Sequence, residues 1–321
     1  MSPFQLTRTL AEDAMEAALR ADVRHGLTRT PKELPPKWFY DARGSELFDE
    51  ITRLPEYYPT RAEREILIAR APEIAAATGA RTLVELGSGS SEKTRHLIDA
   101  LLPGLEVYVP VDVSESALRG AGEALVAERP GLRVHALLSD FTQGIELPET
   151  AGPRLVAFLG GTIGNLLPAE RREFLRGVRG VLAPGDSLLL GTDLVKVEAT
   201  LVAAYDDAAG VTAAFNKNVL AVVDRELGAD ANPDDFDHVA RWDRENEWIE
   251  MRLRARQALT VKIPELDLLV PFEAGEELRT EVSAKFRQDG VRDELADAGF
   301  SLACWWTDTA GRFALSLAAV G

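Results

Sequence analysis

TLVELGSGSSEKT, residues 82–94, sets a short, mostly apolar run directly before two glycines and a polar segment. Such a run bounded by glycine reads as a buried strand, and the segment after it as the opening of a helix. Gly87 and Gly89 let the backbone turn sharply and approach a ligand, while a helix N-terminus favours an anionic group. On the two glycines alone a purely structural turn is as good a reading as a binding site. A dinucleotide fingerprint asks for a third glycine near position 92. Glu92 stands there instead, where its charge would oppose a pyrophosphate.

Outward from this stretch the strand–helix rhythm continues. Strands are expected at residues 106–111, ending at Asp112; 133–139, ending at Asp140 and Phe141; 154–159; and 187–190. Helices are expected at 92–102 and 114–128, and from Pro168 to a stop at Pro184-Gly185. Apolar strands separated by helices imply a parallel sheet covered on both faces. Near the end, a helix at 290–298 precedes two strands, SLACWWTD and RFALSLAAV, joined by a turn at Ala310-Gly311.

Residues 197–286 break the rhythm. They begin helically and then alternate, with Glu250, Arg252, Arg254 and Arg256 interleaved with Met251, Leu253 and Ala255. A period of two is the mark of a half-exposed strand in an antiparallel sheet. At the start of the chain, an amphipathic helix is expected at 10–27, a proline-broken loop after it and a short helix at 45–54. Thr60 and Glu63 fit a capping box opening a helix that ends near Thr78-Gly79.

Composition excludes several classes. Asp and Glu total 52 against 36 Lys and Arg, a net charge of −16, and no basic run is present, so nucleic acid is not an expected partner. Cys304 is the single cysteine, which rules out an intrachain disulfide. His25, His96, His135 and His238 show no ligand spacing, and no metal is expected. No signal-peptide core and no stretch of the ~20 apolar residues needed to cross a bilayer is found. The expectation is a cytoplasmic monomer that does not engage membranes.

A doubly wound sheet finished by a C-terminal hairpin resembles the class I, Rossmann-like methyltransferases, whose donor S-adenosylmethionine carries no pyrophosphate. The expected fold is therefore α/β, this sheet plus an inserted α+β domain. Residues 61–196 and 287–321 would form the donor-binding domain, and residues 1–60 and 197–286 a second, substrate-binding domain that walls a cleft. Asp112 is placed to accept hydrogen bonds from ribose hydroxyls, and Asp140 with Phe141 to meet an adenine. LAPGDSLLLG (182–191) matches the segment entering the fifth strand of many such enzymes. Any one of these could be an ordinary strand-end residue; their occurrence in order favours a site.

PPKWFYDARGSELFDEITRLPEYYPTRAE (35–63), FLGGTIGN (158–165), GTDLVK (191–196), AYDDAAGVTAAFN (204–216) and TEVSAKF (280–286) are more specific. Together they resemble the histidine-specific methyltransferases, which trimethylate the α-amine of L-histidine to hercynine at the start of ergothioneine biosynthesis. The resemblance implies S-adenosylmethionine as co-substrate, held by Gly87, Lys93, Asp112, Asp140 and Phe141. It implies that Tyr57, Asn165 and Tyr205 hold the amino and carboxylate groups of histidine, and that Glu281 and Ser283 recognise the imidazole. Tyr40, Phe48, Thr212 and Met251 are further candidates for the pocket wall. By spacing alone, Asn165 reads equally as a turn residue, the tyrosines as core aromatics, and Glu281 and Ser283 as an exposed strand face. The rival readings are a related N-methyltransferase acting on another amino acid or small biogenic amine, an NAD-dependent oxidoreductase, and a donor-binding module without chemistry. No general base is identifiable.

Overall fold

The computed structural model describes residues 3–320 apart from 12, 103, 143, 145, 149 and 151. The chain opens with β1 (Phe4–Arg8), α1 (Ala14–Thr28), β2 (Lys32–Glu33), α2 (Ala42–Arg53) and α3 (Pro59–Thr78). An alternating series follows: β3 (Thr82–Leu86), α4 (Arg95–Leu101), β4 (Val107–Asp112), α5 (Glu115–Glu128) and β5 (Arg133–Leu138). It continues with β6 (Arg154–Phe158), α6 (Pro168–Gly180) and β7 (Ser187–Asp193). Next come α7 (Glu198–Tyr205), α8 (Val211–Leu227), β8 (Phe236–Asp243), β9 (Trp248–Ala255), β10 (Leu259–Ile263), β11 (Leu268–Phe272) and β12 (Glu277–Ala284). The last elements are α9 (Gln288–Asp297), β13 (Phe300–Thr307) and β14 (Phe313–Val320).

Eight strands form one sheet in the order β1-β5-β4-β3-β6-β7-β14-β13. β3 pairs in parallel with both β4 and β6, so the strand order reverses around it, the position where open α/β sheets bind ligands. β14 runs antiparallel to both β7 and β13 and closes the sheet with the expected hairpin. The doubly wound α/β sheet is thus the one read from the sequence. One strand was not legible: β1 pairs in parallel with β5, from Phe4 opposite Val134 to Arg8 opposite Leu138. As a half-covered edge strand it lacks the apolar run that marks its neighbours.

The chain divides into two compact units. The first comprises Met1–Ala11, Pro59–Val195 and Phe286–Gly321; the second comprises Glu12–Tyr58 and Lys196–Lys285. The first eleven residues go with the large sheet, rather than with the second unit, because β1 is hydrogen-bonded into it. Phe286 likewise bridges to Leu194 in the first unit. Each unit has its own core. In the first, Leu83, Leu97, Ile98, Tyr108, Leu155, Leu189 and Leu315 are buried together; in the second, Val23, Phe39, Leu201, Val219, Phe236, Ile249 and Leu253.

The second unit holds a four-stranded sheet, β2-β12-β9-β8, beside the β10–β11 hairpin. The alternation in β9 is as expected for Met251, Leu253 and Ala255, which are buried. Glu250 departs from it. It is also buried, because Arg252 and Arg241 donate to one of its oxygens and Arg279 lies 3.7 Å from the other. Burial alone would raise its pKa, but these guanidinium groups hold it below the ordinary carboxylate value. A bulge interrupts the pairing of β12 with β9 between Arg279 and Glu281.

Two local expectations fail for physical reasons. Glu63 does not close a capping box with Thr60: it is fully buried, accepts the Gly160 N–H at 2.7 Å and pairs with Lys93. Similarly, α4 starts at Arg95 rather than at residue 92, and Thr94 directs its hydroxyl to the buried Glu85 instead of capping the helix.

Asp308 governs the β13–β14 turn. Its buried carboxylate accepts the N–H groups of Arg312 at 2.5 Å and Phe313 at 2.9 Å, and the Arg312 guanidinium at 3.0 Å. Burial opposes ionisation, but these donors outweigh it and lower the pKa from its ordinary 3.8. Asp308→Ala removes the acceptor that two backbone N–H groups share, and a loss of about 1–3 kcal/mol in urea unfolding is expected. Because the folded-state pKa is depressed, this contribution is present above pH 3.8 and fades as pH falls through the folded value.

Candidate active site

In the first unit, Gly87 follows directly on β3 with φ +67°, a left-handed turn at the carboxyl end of the strand that bends the chain into the loop. A β-carbon there would stand 3.5 Å from the Phe141 ring, so space permits one and the backbone angle is what favours glycine. The loop is then tied to the next strand. Asp112, at the end of β4, accepts the Gly89 N–H through Oδ2 and the Ser114 N–H through Oδ1, both at 2.9 Å. Burial raises the Asp112 pKa against these backbone donors. A carboxylate has about four lone-pair sites, so capacity remains for ligand hydroxyls.

Asp140 follows β5 and is buried; its Oδ1 accepts both the Thr142 N–H at 2.9 Å and the Thr142 hydroxyl at 2.6 Å. The Phe141 ring meets Phe158 and Phe174 edge-on, with centroids 5.4 and 6.0 Å away. Gly87, Asp112, Asp140 and Phe141 therefore gather at the carboxyl ends of adjacent strands. The Lys93 ammonium pairs with Glu63 and lies near Gly160, just beyond the end of β6. With three donors it retains the means to meet a ligand carboxylate as well. Asn165 closes a single 3₁₀ turn, Thr162–Asn165, after β6 and is half-buried.

Beneath the loop lies a polar layer that no motif in the sequence marks. Glu85, inside β3, accepts the hydroxyls of Thr94 and Tyr108, and Tyr108 is 2.8 Å from the Ser91 hydroxyl. Burial pushes the Glu85 carboxyl up to about 7 despite those bonds and the charge of Lys93, and pushes the Tyr108 phenol up as well. The signal was present: a carboxylate inside an otherwise apolar strand needs partners.

In the second unit, the rings of Tyr40, Phe48, Tyr57 and Tyr205 form a continuous run, with successive centroids 5.6, 6.1 and 6.5 Å apart. Tyr40 is exposed, Tyr57 half-buried and Tyr205 buried. The Tyr205 hydroxyl lies 2.7 Å from that of Ser283 on β12. Glu281, two residues earlier on the same strand, is half-buried and shares that face. Thr212 and Met251 are buried, Met251 within the core.

Three polar residues not expected from sequence fix Tyr205 and β12 in place. The Tyr205 carbonyl lies 2.8 Å from Nε2 of His238, and since a carbonyl only accepts, that nitrogen carries the proton. His238 Nδ1 then accepts from the Asn216 amide at 2.8 Å, and Asn216 Oδ1 accepts the Thr280 hydroxyl at 2.5 Å. Lys285 donates to both the Tyr205 and Ser283 hydroxyls at 2.8 Å. Among the described residues no group of three or more His, Cys, Asp or Glu is placed to hold a metal, and no helix is long and apolar enough to cross a membrane.

Burial lowers the His238 pKa from 6.5. The unfolded chain therefore binds the proton more readily, and the stability owed to neutral His238 is full above pH 6.5 and falls as pH drops toward the folded value. The stability advantage of the parent over His238→Gln should shrink between pH 7 and 5 in urea titrations. Identical pH dependence in both proteins would contradict the network.

Residues 19–320 match the family model described as histidine-specific methyltransferase, SAM-dependent. The histidine N-alpha-methyltransferase of Mycolicibacterium smegmatis is 60% identical over 98% of this chain and 99% of its own. That of Mycobacterium tuberculosis is 58% identical over 97% of both chains. Ergothioneine biosynthesis protein 1 of Neurospora crassa is 34% identical over 63% of this chain and 24% of its own length. With the sheet order, the Gly87 loop and a match across nearly the whole sequence, the chain belongs to the SAM-dependent, histidine-specific methyltransferase family.

Proposed function

We propose that this protein transfers three methyl groups from S-adenosylmethionine to the α-amine of L-histidine, giving hercynine and opening ergothioneine biosynthesis. The observation that carries the reading is the convergence of Tyr57, Tyr205, Ser283 and Glu281 in one unit of a chain whose family is histidine-specific. Gly87, Asp112, Asp140 and Phe141 are the proposed contacts to the donor, with Lys93 toward its carboxylate. Their fit rests on the open turn at Gly87 and the remaining acceptor capacity of Asp112. When bound, the donor supplies an electrophilic methyl on a sulfonium. Tyr57 and Tyr205 are assigned to the head group of histidine, as is Asn165 at the carboxyl end of β6.

The chain's own task is to orient a neutral amine and keep it in place, which is catalysis chiefly by proximity. The α-amine is protonated at neutral pH and must lose that proton before each attack. Glu281 is the proposed acceptor for an imidazole N–H, and Ser283 serves the other ring nitrogen. The wider reading assigns the donor to the sheet unit and the imidazole to the second.

Under excess donor the product should stop at three added methyls, because a quaternary ammonium has no lone pair. A mass-spectrometric end point dominated by the monomethyl species would contradict the proposal. Glu281→Ala should weaken histidine roughly ten- to a hundredfold, as loss of a hydrogen bond to a charged group does. It should also narrow the gap between histidine and phenylalanine, since a site with an unpaired polar group rejects an apolar ring. Titration of both amino acids with the donor product present, alongside the donor product alone, checks this; unchanged histidine binding would remove Glu281 from the site.

A further inference from the structure

Lys285 belongs to none of the roles assigned above. It is buried, 4% exposed, one residue beyond β12. Its ammonium stands 2.8 Å from the Tyr205 hydroxyl, 2.8 Å from the Ser283 hydroxyl and 4.7 Å above the Tyr205 ring. The two hydroxyls are 2.7 Å from each other. The three polar atoms thus form a triangle, at the place where two proposed histidine ligands meet.

The donor arithmetic of this triangle is restrictive. An ammonium only donates, so both oxygens accept from Lys285. The contact between the two oxygens uses one hydroxyl proton. The second hydroxyl proton must then point away from the triangle, whichever oxygen carries it. A positive charge at hydrogen-bond distance also makes both hydroxyls stronger donors, because it stabilises the electron density they shed. The arrangement therefore turns one strengthened hydroxyl O–H outward from the triangle. An amino-acid carboxylate or an unprotonated ring nitrogen is the kind of acceptor it suits.

We propose that Lys285 is a positioning residue for the amino-acid substrate, setting the hydrogen-bond direction of Tyr205 and Ser283 without touching the substrate itself. The proposal rests on the reading of those two residues as histidine ligands. Sequence pattern is consistent with it, since Glu281, Ser283 and Lys285 are the alternate positions of TEVSAKF.

A mutant cycle separates the two claims. The proteins are the full-length parent, Lys285→Met, the double variant Tyr205→Phe/Ser283→Ala, and the triple combination. Lys285→Met should raise the KM for histidine by roughly tenfold or more, with donor-product affinity changed by less than about twofold. In the double-variant background the same substitution should change KM by less than about twofold, because the groups it acts through are gone. Lys285→Arg, which keeps charge and donors, should recover part of the loss. Equal effects of Lys285→Met in both backgrounds, or no effect in the parent, overturn the inference and leave the histidine site standing. A double variant with parental KM overturns both. If Lys285→Met does not fold, Lys285→Gln, which lacks the charge, enters the same cycle with the same expectations.

Discussion

The carboxylate of Glu85 is the constraint on which the glycine loop after β3 depends. It sits inside the strand around which the sheet order reverses, out of contact with water, and cannot be left unpaired there. Thr94, beyond the glycine loop, and Tyr108, on the neighbouring strand, both donate to it. Satisfying one buried group therefore closes the loop from below, while Asp112 holds Gly89 from the side. The left-handed turns at Gly87 and Gly89 are what let the chain meet both demands within a few residues. A loop fixed in advance in this way would lose little freedom in holding the donor, as proposed for it.

The second unit follows the same logic with different chemistry. Tyr205 is held at its main chain by neutral His238 and at its hydroxyl by Lys285 and Ser283. Asn216 and Thr280 extend the network to β12, next to Glu281. Every link is polar and mostly buried, where a misplaced donor costs more than the bond itself contributes. Such a network specifies one arrangement of hydroxyls and carboxylate, the kind of fixed polar surface that the proposed recognition of an imidazole needs. Buried groups support the proposed substrate residues, and the aromatic run from Tyr40 to Tyr205 supplies apolar surface beside them.

The sheet was legible because its strands are apolar on both faces and its turns carry glycine and proline; TLVEL, EVYVPV and RLVAF need no tertiary information. β1 was not, since an edge strand covered on one side has no such pattern. Glu63 was misread because a capping box and a buried ion pair look alike over four residues, and only the fold brings Lys93 and the Gly160 N–H to it. The candidate site residues come from resemblance rather than from spacing, which leaves Tyr57, Tyr205, Glu281 and Ser283 open to ordinary structural readings. The supporting residues, His238, Asn216 and Lys285, come from separate elements of the second unit. No local period could have joined them.

The most direct measurement of the account is a competition. Full-length protein is incubated with S-adenosylmethionine and an equimolar mixture of free amino acids and simple biogenic amines, and every component is followed by mass spectrometry. The account predicts that histidine alone is consumed, with the gain in mass on its α-nitrogen. Preferential methylation of tryptophan, of another amino acid or of an amine lacking the carboxylate would contradict it.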